Sequence, residues 1–153
     1  MEGCKSKTVY VPMSCEILLP GHIKMIQKAS EYGRVIVGLQ TDKVIDSFKR
    51  EFHLNYTQRE YIVSNIKGVD AVVPQDSKSY EGILRRLKPD YMIHGKDWRK
   101  GPLENERKEA IGIMAEWGGE VIEPDYTDDV SVALIQEDVY SHVNWDKELM
   151  YGG

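Results

Sequence analysis

Short apolar runs rich in β-branched residues recur along the chain, and stretches with helical spacing separate them. The runs lie at 8–11, 34–39, 70–73, 91–95 and 120–123, and they read TVYV, RVIVGL, DAVV, YMIHG and EVIE. Strands that alternate with helices in this way form a parallel sheet covered on both faces. The pattern therefore predicts an α/β fold with a five-stranded parallel sheet flanked by helices.

The stretches between these runs predict the helices. The segment PGHIKMIQKA at 20–29 places apolar residues at helical spacing, and Gly33 is positioned to end that helix. Further helices are predicted over 80–87, before a Lys-Pro pair, and over 103–117, before a Gly-Gly stop. Because no repeat, low-complexity tract or linker divides the sequence, residues 1–153 are expected to form a single domain.

A capping signal marks one more helix. In TQRE at 57–60, the Thr57 hydroxyl and the Glu60 carboxylate match a capping box, so a helix is predicted from there to about Ile66. Tyr61, Ile62 and Ile66 are expected to form its buried stripe.

The predicted topology also indicates where a ligand binds. Right-handed crossovers between the strands give a Rossmann-like fold, in which ligands settle at the carboxyl ends of the strands where the strand order reverses. Three segments satisfy this positional rule: residues 12–22, 94–102 and 124–131.

Composition excludes several other classes of protein. The 25 acidic and 20 basic residues give a net charge of −5, which does not favour binding to nucleic acid or to a membrane surface. The apolar runs reach only strand length, and Cys4 and Cys15 offer neither a disulfide scaffold nor zinc-ligand spacing. We therefore expect a cytoplasmic protein with reduced thiols, no protein-bound metal and no membrane contact.

Pro20-Gly21-His22 opens the first helix directly after the first strand. Exposed N–H groups and the helix dipole attract phosphate at such a position, glycine permits close approach, and an imidazole can donate a hydrogen bond to phosphate oxygen. A histidine that only caps the helix is the structural alternative.

The run HGKDW at 94–98 follows the fourth strand. Gly95 permits close approach of a ligand, Asp97 can bind a hydroxyl or amine, and Trp98 can supply an apolar wall. A plain turn with its tryptophan folded over the core is the alternative.

Four cations follow the second strand: Lys43, Lys49, Arg50 and Arg59. Such groups stabilise phosphate in a partly desolvated site, so they are candidates for binding a triphosphate. A solvated helix face is the alternative, because lysine and arginine side chains are mostly exposed.

In this order, these segments resemble the cytidylyltransferase family, the relatives of glycerol-3-phosphate and choline-phosphate cytidylyltransferases. The likeness is strongest to the domains that accompany phosphoenolpyruvate mutases in phosphonate metabolism. It spans about residues 7–135 and rests on KTVYV, PGHIKMI, VIVGLQTDKVI, YTQREYIVSNIKGVDAVVPQ, LKPDYMIHGKDW and EWGGEVIE.

The resemblance implies a Rossmann-like nucleotidyltransferase fold and a reaction. CMP would pass from CTP, bound with Mg²⁺, to a phosphate or phosphonate acceptor, and pyrophosphate would leave. His22 corresponds to the second histidine of the signature and Lys49 offsets charge, so both are expected to be catalytic. A homodimer is implied as well. The nucleotide-binding residues that the resemblance implies are Met13, Ser14, Gly21, His22, Gly95, Asp97, Trp98 and Ser131.

The sequence departs from the family pattern around the phosphates. Leu19 stands at the first signature histidine, Pro12 at a usual glycine and Glu16 at a usual aspartate. The hydroxyl run near the C-terminal end keeps Ser131 but has Val132, Ala133, Asp128 and Asp129 around it. Three interpretations stay open: a working cytidylyltransferase, a catalytically impaired relative that binds a nucleotide or a partner, and an enzyme with a changed substrate.

Overall fold

The computed structural model describes residues 7–47 and 54–124 and confirms the predicted α/β fold. Five strands form one parallel sheet in the order β3-β2-β1-β4-β5. The strands are β1 (Thr8–Met13), β2 (Arg34–Gln40), β3 (Ala71–Gln75), β4 (Tyr91–Ile93) and β5 (Glu120–Ile122).

Helices connect these strands and cover the sheet. They are α1 (Pro20–Ser30), α2 (Asp42–Ser47), α3 (Tyr56–Ser64), α4 (Glu81–Leu87) and α5 (Glu104–Ala115), and a 3₁₀ turn (Lys96–Arg99) follows β4. Over the described residues, none of these helices has the length and apolarity needed to cross a membrane.

The core has two layers because side chains of the strands alternate between the two faces of the sheet. Val9, Val11 and Met13 of β1 pack on one face with residues of α1 and α3, such as Ile26 and Val63. Tyr10 points to the other face, where it packs with residues of α4 and α5. The near-continuous burial along β1 is typical of a central parallel strand.

The strand order reverses at the junction of β1 and β4. β1 pairs with β2 along its whole length, from Thr8 to Met13, but with β4 only at Val9 and Tyr10. Pro12 has no N–H with which this second ladder could continue. The carboxyl ends of β1 and β4 therefore form the switch point at which Rossmann-like sheets bind their ligands.

Gly33 does not end α1 as the sequence pattern predicted. The helix ends at Ser30 with Glu31 as its C-cap in a right-handed conformation. A β-carbon at Gly33 would lie 2.3 Å from the Lys7 carbonyl oxygen. This position therefore requires glycine because two backbone segments meet there.

The start and the buried face of α3 also differ from the prediction. Asn55, not Thr57, is the N-cap, and its side chain accepts from the Gln58 N–H at 2.9 Å while Gln58 Oε1 accepts from the Asn55 N–H at 3.0 Å. The overlapping NxxQ and TxxE patterns both fit a capping box, and the helix begins at the earlier one.

The predicted apolar stripe of α3 is wrong for two of its members. Tyr61 is 75% exposed and Ile62 is 36% exposed, whereas Val63 and Arg59 face the core. The helix lies about two residues earlier than predicted and ends at Ser64 instead of Ile66. The buried face of α3 is thus the one that contains Arg59, and the larger apolar side chains Tyr61 and Ile62 lie on the exposed side.

Candidate active site

The start of α1 presents His22 at the switch point. Leu19 is the N-cap but offers no side-chain acceptor, and the His22 ring makes the reciprocal bond: the Leu19 N–H donates to His22 Nδ1 at 2.9 Å. A ring that accepts at Nδ1 is neutral and carries its proton on Nε2. Burial lowers the pKa of His22 below its usual 6.5, so the neutral form prevails at pH 7. His22 is thus both a helix cap and a fixed Nε2–H donor.

Gly21 precedes this histidine and opens onto free space. A β-carbon built at Gly21 would meet no atom within 4 Å, and the backbone there is helical, so neither crowding within the described protein nor an unusual φ requires glycine. An exposed helix start with room beside it is suited to an anion that approaches the backbone closely. Gly21 therefore provides access for a ligand.

Met13 and Ser14 lie at the end of β1 below this helix start. Met13 is buried in the core, with 7% of its side chain exposed, and so offers a ligand at most its backbone. Ser14 is half-buried, and its carbonyl oxygen accepts a hydrogen bond from the Arg59 side chain at 2.8 Å.

Arg59 is a positioning residue rather than a phosphate ligand, which corrects the sequence prediction. Its side chain is fully buried, and its guanidinium donates to three carbonyl oxygens and pairs with Asp42 at 2.7 Å. The carbonyls belong to Leu54 (3.1 Å), Ser14 (2.8 Å) and Gln40 (2.6 Å). Arg59 therefore connects the ends of β1 and β2. Its charge is already paired with the carboxylate of Asp42.

Among the other predicted cations, Lys43 is described, and its ion-pair partner is Asp76. Lys43 has a side chain that is 78% exposed and lies 3.7 Å from Asp76, which follows the edge strand β3. An exposed pair at this distance contributes little to stability, so the lysine remains free to reorient. Lys49, Arg50 and Ser131 lie outside the described residues.

The HGKDW run forms the β4 side of the switch point. Gly95 is half-buried, in extended backbone that caps the 3₁₀ turn, and only the backbone of Asp97 is described. Trp98 is fully buried, so the prediction that its ring forms the wall of the site is corrected. The imidazole of His94 lies flat against the indole, with ring centroids 3.8 Å apart and an interplanar angle of 3°.

Glu123 anchors this side of the site, and neither it nor His94 was a candidate from the sequence. Its carboxylate accepts from Trp98 Nε1 at 2.8 Å and pairs with Arg107 and Arg99 at 3.0 and 3.1 Å. Burial alone would raise the pKa of Glu123, but the bonds from Arg107, Arg99 and Trp98 outweigh it and hold the pKa at about 2. The only sequence signal was an acidic residue at the end of an apolar strand.

A shallow concavity of about 520 Å³ lies at the opposite, amino-terminal edge of the sheet. Its lining mixes the cations Lys7 and Arg34 with the carboxylates Glu31 and Asp70. Asp70 is already occupied, because it accepts from the Val35 N–H at 2.8 Å. Because cations and carboxylates are mixed in this lining, it favours neither an anionic nor a cationic ligand. We therefore place the candidate site at the switch point.

The described residues offer no preformed metal cage. Within 7–47 and 54–124, no group of three or more His, Cys, Asp or Glu side chains is arranged to hold an ion. The geometry of the switch point suits a polyanion at the start of α1 and a flat group near the end of β4.

A parallel sheet with a helix start at its switch point is typical of the Rossmann-like class, whose members bind nucleotides at this place. The chain belongs to the cytidylyltransferase-like family, whose pattern matches residues 17–138. It is 25% identical over 120 residues to the bifunctional protein HldE of Gluconobacter oxydans and 31% identical over 109 residues to that of Wolinella succinogenes. These matches cover 76% and 69% of this chain but only 24% and 22% of the relatives.

The fold has a solved counterpart. The lipopolysaccharide core biosynthesis protein from Thermoplasma volcanium GSS1 superposes with a TM-score of 0.67 at 18% identity. The match covers 80% of this chain and 99% of that one. The chain spans about a quarter of the length of the curated relatives it matches.

Proposed function

We propose that this protein is a cytidylyltransferase: it transfers CMP from CTP to a small phosphate or phosphonate acceptor and releases pyrophosphate. The observation that carries the proposal is the start of α1, where His22 holds an Nε2–H donor beside the open backbone of Gly21. Family membership supports a nucleotidyl transfer. The choice of CTP and of the acceptor rests on the resemblance of the motifs.

The chemistry of the step assigns a role to each group. An acceptor oxygen attacks the α-phosphorus of CTP, the new P–O bond forms, and the bond to the β-phosphate oxygen breaks with its electron pair leaving on pyrophosphate. His22 Nε2–H donates to a phosphate oxygen as negative charge builds there. Lys49, and Lys43 after reorientation, offset the charge of the departing group. Such transfers depend on positioning and charge stabilisation rather than on covalent chemistry by the protein.

A pyrophosphate-release assay tests the proposal. The full chain is incubated with CTP, Mg²⁺ and 2-aminoethylphosphonate, phosphocholine or glycerol 3-phosphate, and release is expected with one of these acceptors. The absence of release with all three at high enzyme concentration would overturn the proposal for these substrates.

A matched variant then separates catalysis from helix capping. His22→Gln keeps an acceptor for the Leu19 N–H, as Gln58 does at the same position of α3. The amide of glutamine still has N–H donors, so His22→Glu is compared with it: the carboxylate also accepts the Leu19 N–H but cannot donate. The rate of His22→Glu should fall about a hundredfold to a thousandfold, the usual cost of losing one transition-state donor. The thermal unfolding midpoint should stay unchanged. An unaltered rate in this variant would exclude the assigned role of His22.

A catalytically impaired relative that binds a nucleotide or a partner is the second candidate. It is favoured by Leu19, which stands where the signature has its first histidine and provides only its backbone N–H to the site. Restoring Leu19→His, Val132→Ser and Ala133→Thr together should then raise pyrophosphate release above the wild-type rate. Wild-type turnover that the triple variant does not improve would favour the first candidate.

A further inference from the structure

We propose that Glu123 is a positioning residue for the proposed reaction, because its carboxylate fixes the segment that follows β4 at the switch point. This role rests on the proposed function. Residues 94–99, here called the β4 segment, form that part of the site. Glu123 comes directly after β5, and its side chain is only 9% exposed. It accepts hydrogen bonds from the β4 segment and from α5, so three elements at the carboxyl edge of the sheet meet on one carboxylate.

The β4 segment is attached to the end of β5 at both of its ends. At its start, the His94 N–H donates to the Ile122 carbonyl oxygen at 3.1 Å. At its far end, Trp98 Nε1 and Arg99 Nε donate to Glu123 at 2.8 and 3.1 Å. The 3₁₀ turn between these ends has no side-chain cap, and the hydrogen bonds within such short turns have poor geometry. The conformation of the segment therefore depends on its contacts with the end of β5.

A carboxylate is the side-chain group that satisfies all the donors around it. Oε2 accepts from Trp98 Nε1, Arg99 Nε and Arg107 Nε, and Oε1 accepts from the Nη2 atoms of both arginines. A glutamine amide has a single acceptor oxygen, and its NH₂ group would face the guanidinium groups as a further donor. Glu123→Gln therefore releases part of the β4 segment with almost no change in side-chain volume.

The place of the β4 segment in the sheet connects this anchor to binding. β4 neighbours β1, and adjacent strands lie about 4.8 Å apart. In the proposed function the phosphates bind at the start of α1, so the nucleoside extends towards the end of β4. A segment that is already ordered loses less conformational entropy when a ligand binds. We therefore expect Glu123 to strengthen binding of the nucleoside part of CTP and to leave binding of the phosphates unchanged.

Titration calorimetry with two ligands tests this role on the full chain. CTP and inorganic tripolyphosphate, each with equal Mg²⁺, are titrated into the wild-type protein, Glu123→Gln and Trp117→Phe. Trp117→Phe is the matched control, because it removes a 2.8 Å bond from Trp117 Nε1 to the Pro89 carbonyl oxygen at the opposite, amino-terminal end of β4. Thermal unfolding gives the midpoint of each variant, and the titrations are run well below the lowest midpoint.

Glu123→Gln should weaken CTP binding about fivefold to twentyfold, because the cost of ordering a few side chains is then incurred on binding. Tripolyphosphate should bind to this variant as it does to the wild type. Trp117→Phe should lower the unfolding midpoint but bind both ligands as the wild type does. A purely structural role of Glu123 would lower the midpoint without changing the ratio of the two affinities.

Unchanged CTP affinity in folded Glu123→Gln, an equal loss for tripolyphosphate, or the same loss in Trp117→Phe would overturn the positioning role while the proposed function stands. If Glu123→Gln does not fold, Arg99→Met removes one bond of the β4 segment at a side chain that is 47% exposed. It should weaken CTP binding alone about twofold to fivefold, and an unchanged affinity there would overturn the role. A wild-type protein that binds neither ligand would overturn both proposals.

Discussion

The starts of α1 and α3 have the same layout but different contents. Each helix has a side chain at its third position that accepts the N–H of the N-cap residue: His22 in α1 and Gln58 in α3. In α3 the N-cap Asn55 completes the capping box with its own side chain, whereas the N-cap of α1 is Leu19, which cannot. The start of α3 has both side-chain bonds of a capping box, whereas the start of α1 has one, which His22 accepts.

The difference indicates what each helix contributes. Capping is worth about 1 kcal/mol, and α1 gives up part of it at the end of the central strand, beside the open space at Gly21. α3 keeps its cap and carries the buried Arg59, which ties the strand ends together. α3 thus stabilises the carboxyl edge of the sheet, and in the proposed function α1 presents His22 and Gly21 to the ligand at this edge.

The largest expected effect comes from Arg59→Met, because removing the guanidinium leaves Asp42 and three carbonyl oxygens without this donor. A buried acceptor that loses its partner costs about 1 to 3 kcal/mol, whereas the Asp42 side chain is 41% exposed and adds little. The free energy of unfolding, measured by chemical denaturation, should therefore fall by about 2 kcal/mol or more. Arg34→Met, at an exposed position, is the control and should change it by no more than about 0.5 kcal/mol. Equal stability of the two variants would remove the positioning role of Arg59.

Gly21→Ala addresses the open side of α1. The new methyl group would occupy the space next to the phosphates, so CTP affinity should fall about tenfold, while alanine in a helix stabilises the fold by up to about 1 kcal/mol. Gly112→Ala in α5 is a matched control, because its β-carbon also meets no atom within 4 Å. Both variants should gain stability, but only Gly21→Ala should lose affinity. An equal effect of both on CTP binding would place the ligand elsewhere.

Asn55→Ala removes the complete cap of α3. The free energy of unfolding should fall by about 1 kcal/mol, since one helix N–H loses its acceptor. CTP affinity should not change, because the cap is not part of the binding site. Denaturation and titration of the same preparation measure both quantities. A loss of affinity without a loss of stability would contradict the division between the two helices.

Lowering the pH should reduce the free energy of unfolding in two phases, the first from His22 and the second from Glu123, and neither phase should occur at neutral pH. His22 has a lowered pKa, so the unfolded chain binds its proton first, and the contribution of His22 to stability is lost as pH falls below 6.5. The pKa of Glu123 is held at about 2 in the folded protein. Its contribution to stability is therefore complete above the ordinary pKa of 4.5 and is lost as the pH falls from 4.5 towards 2. His22→Gln should abolish the first phase and Glu123→Gln the second. Persistence of a phase in its variant would refute that assignment.

The sequence was sufficient for the architecture because strand and helix patterns are local. All five strands and the start of α1 at Pro20 lie where the pattern placed them. Local patterns could not decide between the overlapping capping signals of Asn55 and Thr57, because both satisfy the same chemistry. The actual start of α3 is the one that directs Arg59 and Val63 to the core.

The candidate site was predicted less completely because its geometry depends on contacts between distant segments. Arg59 is a cation after the second strand in the sequence, but the carbonyls of Ser14 and Gln40 surround it only in the folded sheet. Trp98 is buried among side chains from distant segments, such as Tyr80, and donates to Glu123, and no spacing rule relates these segments. The position of His22 at a helix start, by contrast, could be predicted from the sequence because the helix follows the first strand along the chain.

The most direct test is the position of the triphosphate in crystals of the full chain soaked with CTP and Mg²⁺. We predict that the phosphates lie at the start of α1, with an oxygen within hydrogen-bonding distance of His22 Nε2 and no side chain between them and Gly21. Phosphates bound instead in the concavity near Lys7 and Arg34, or no bound nucleotide at saturating CTP, would contradict the account.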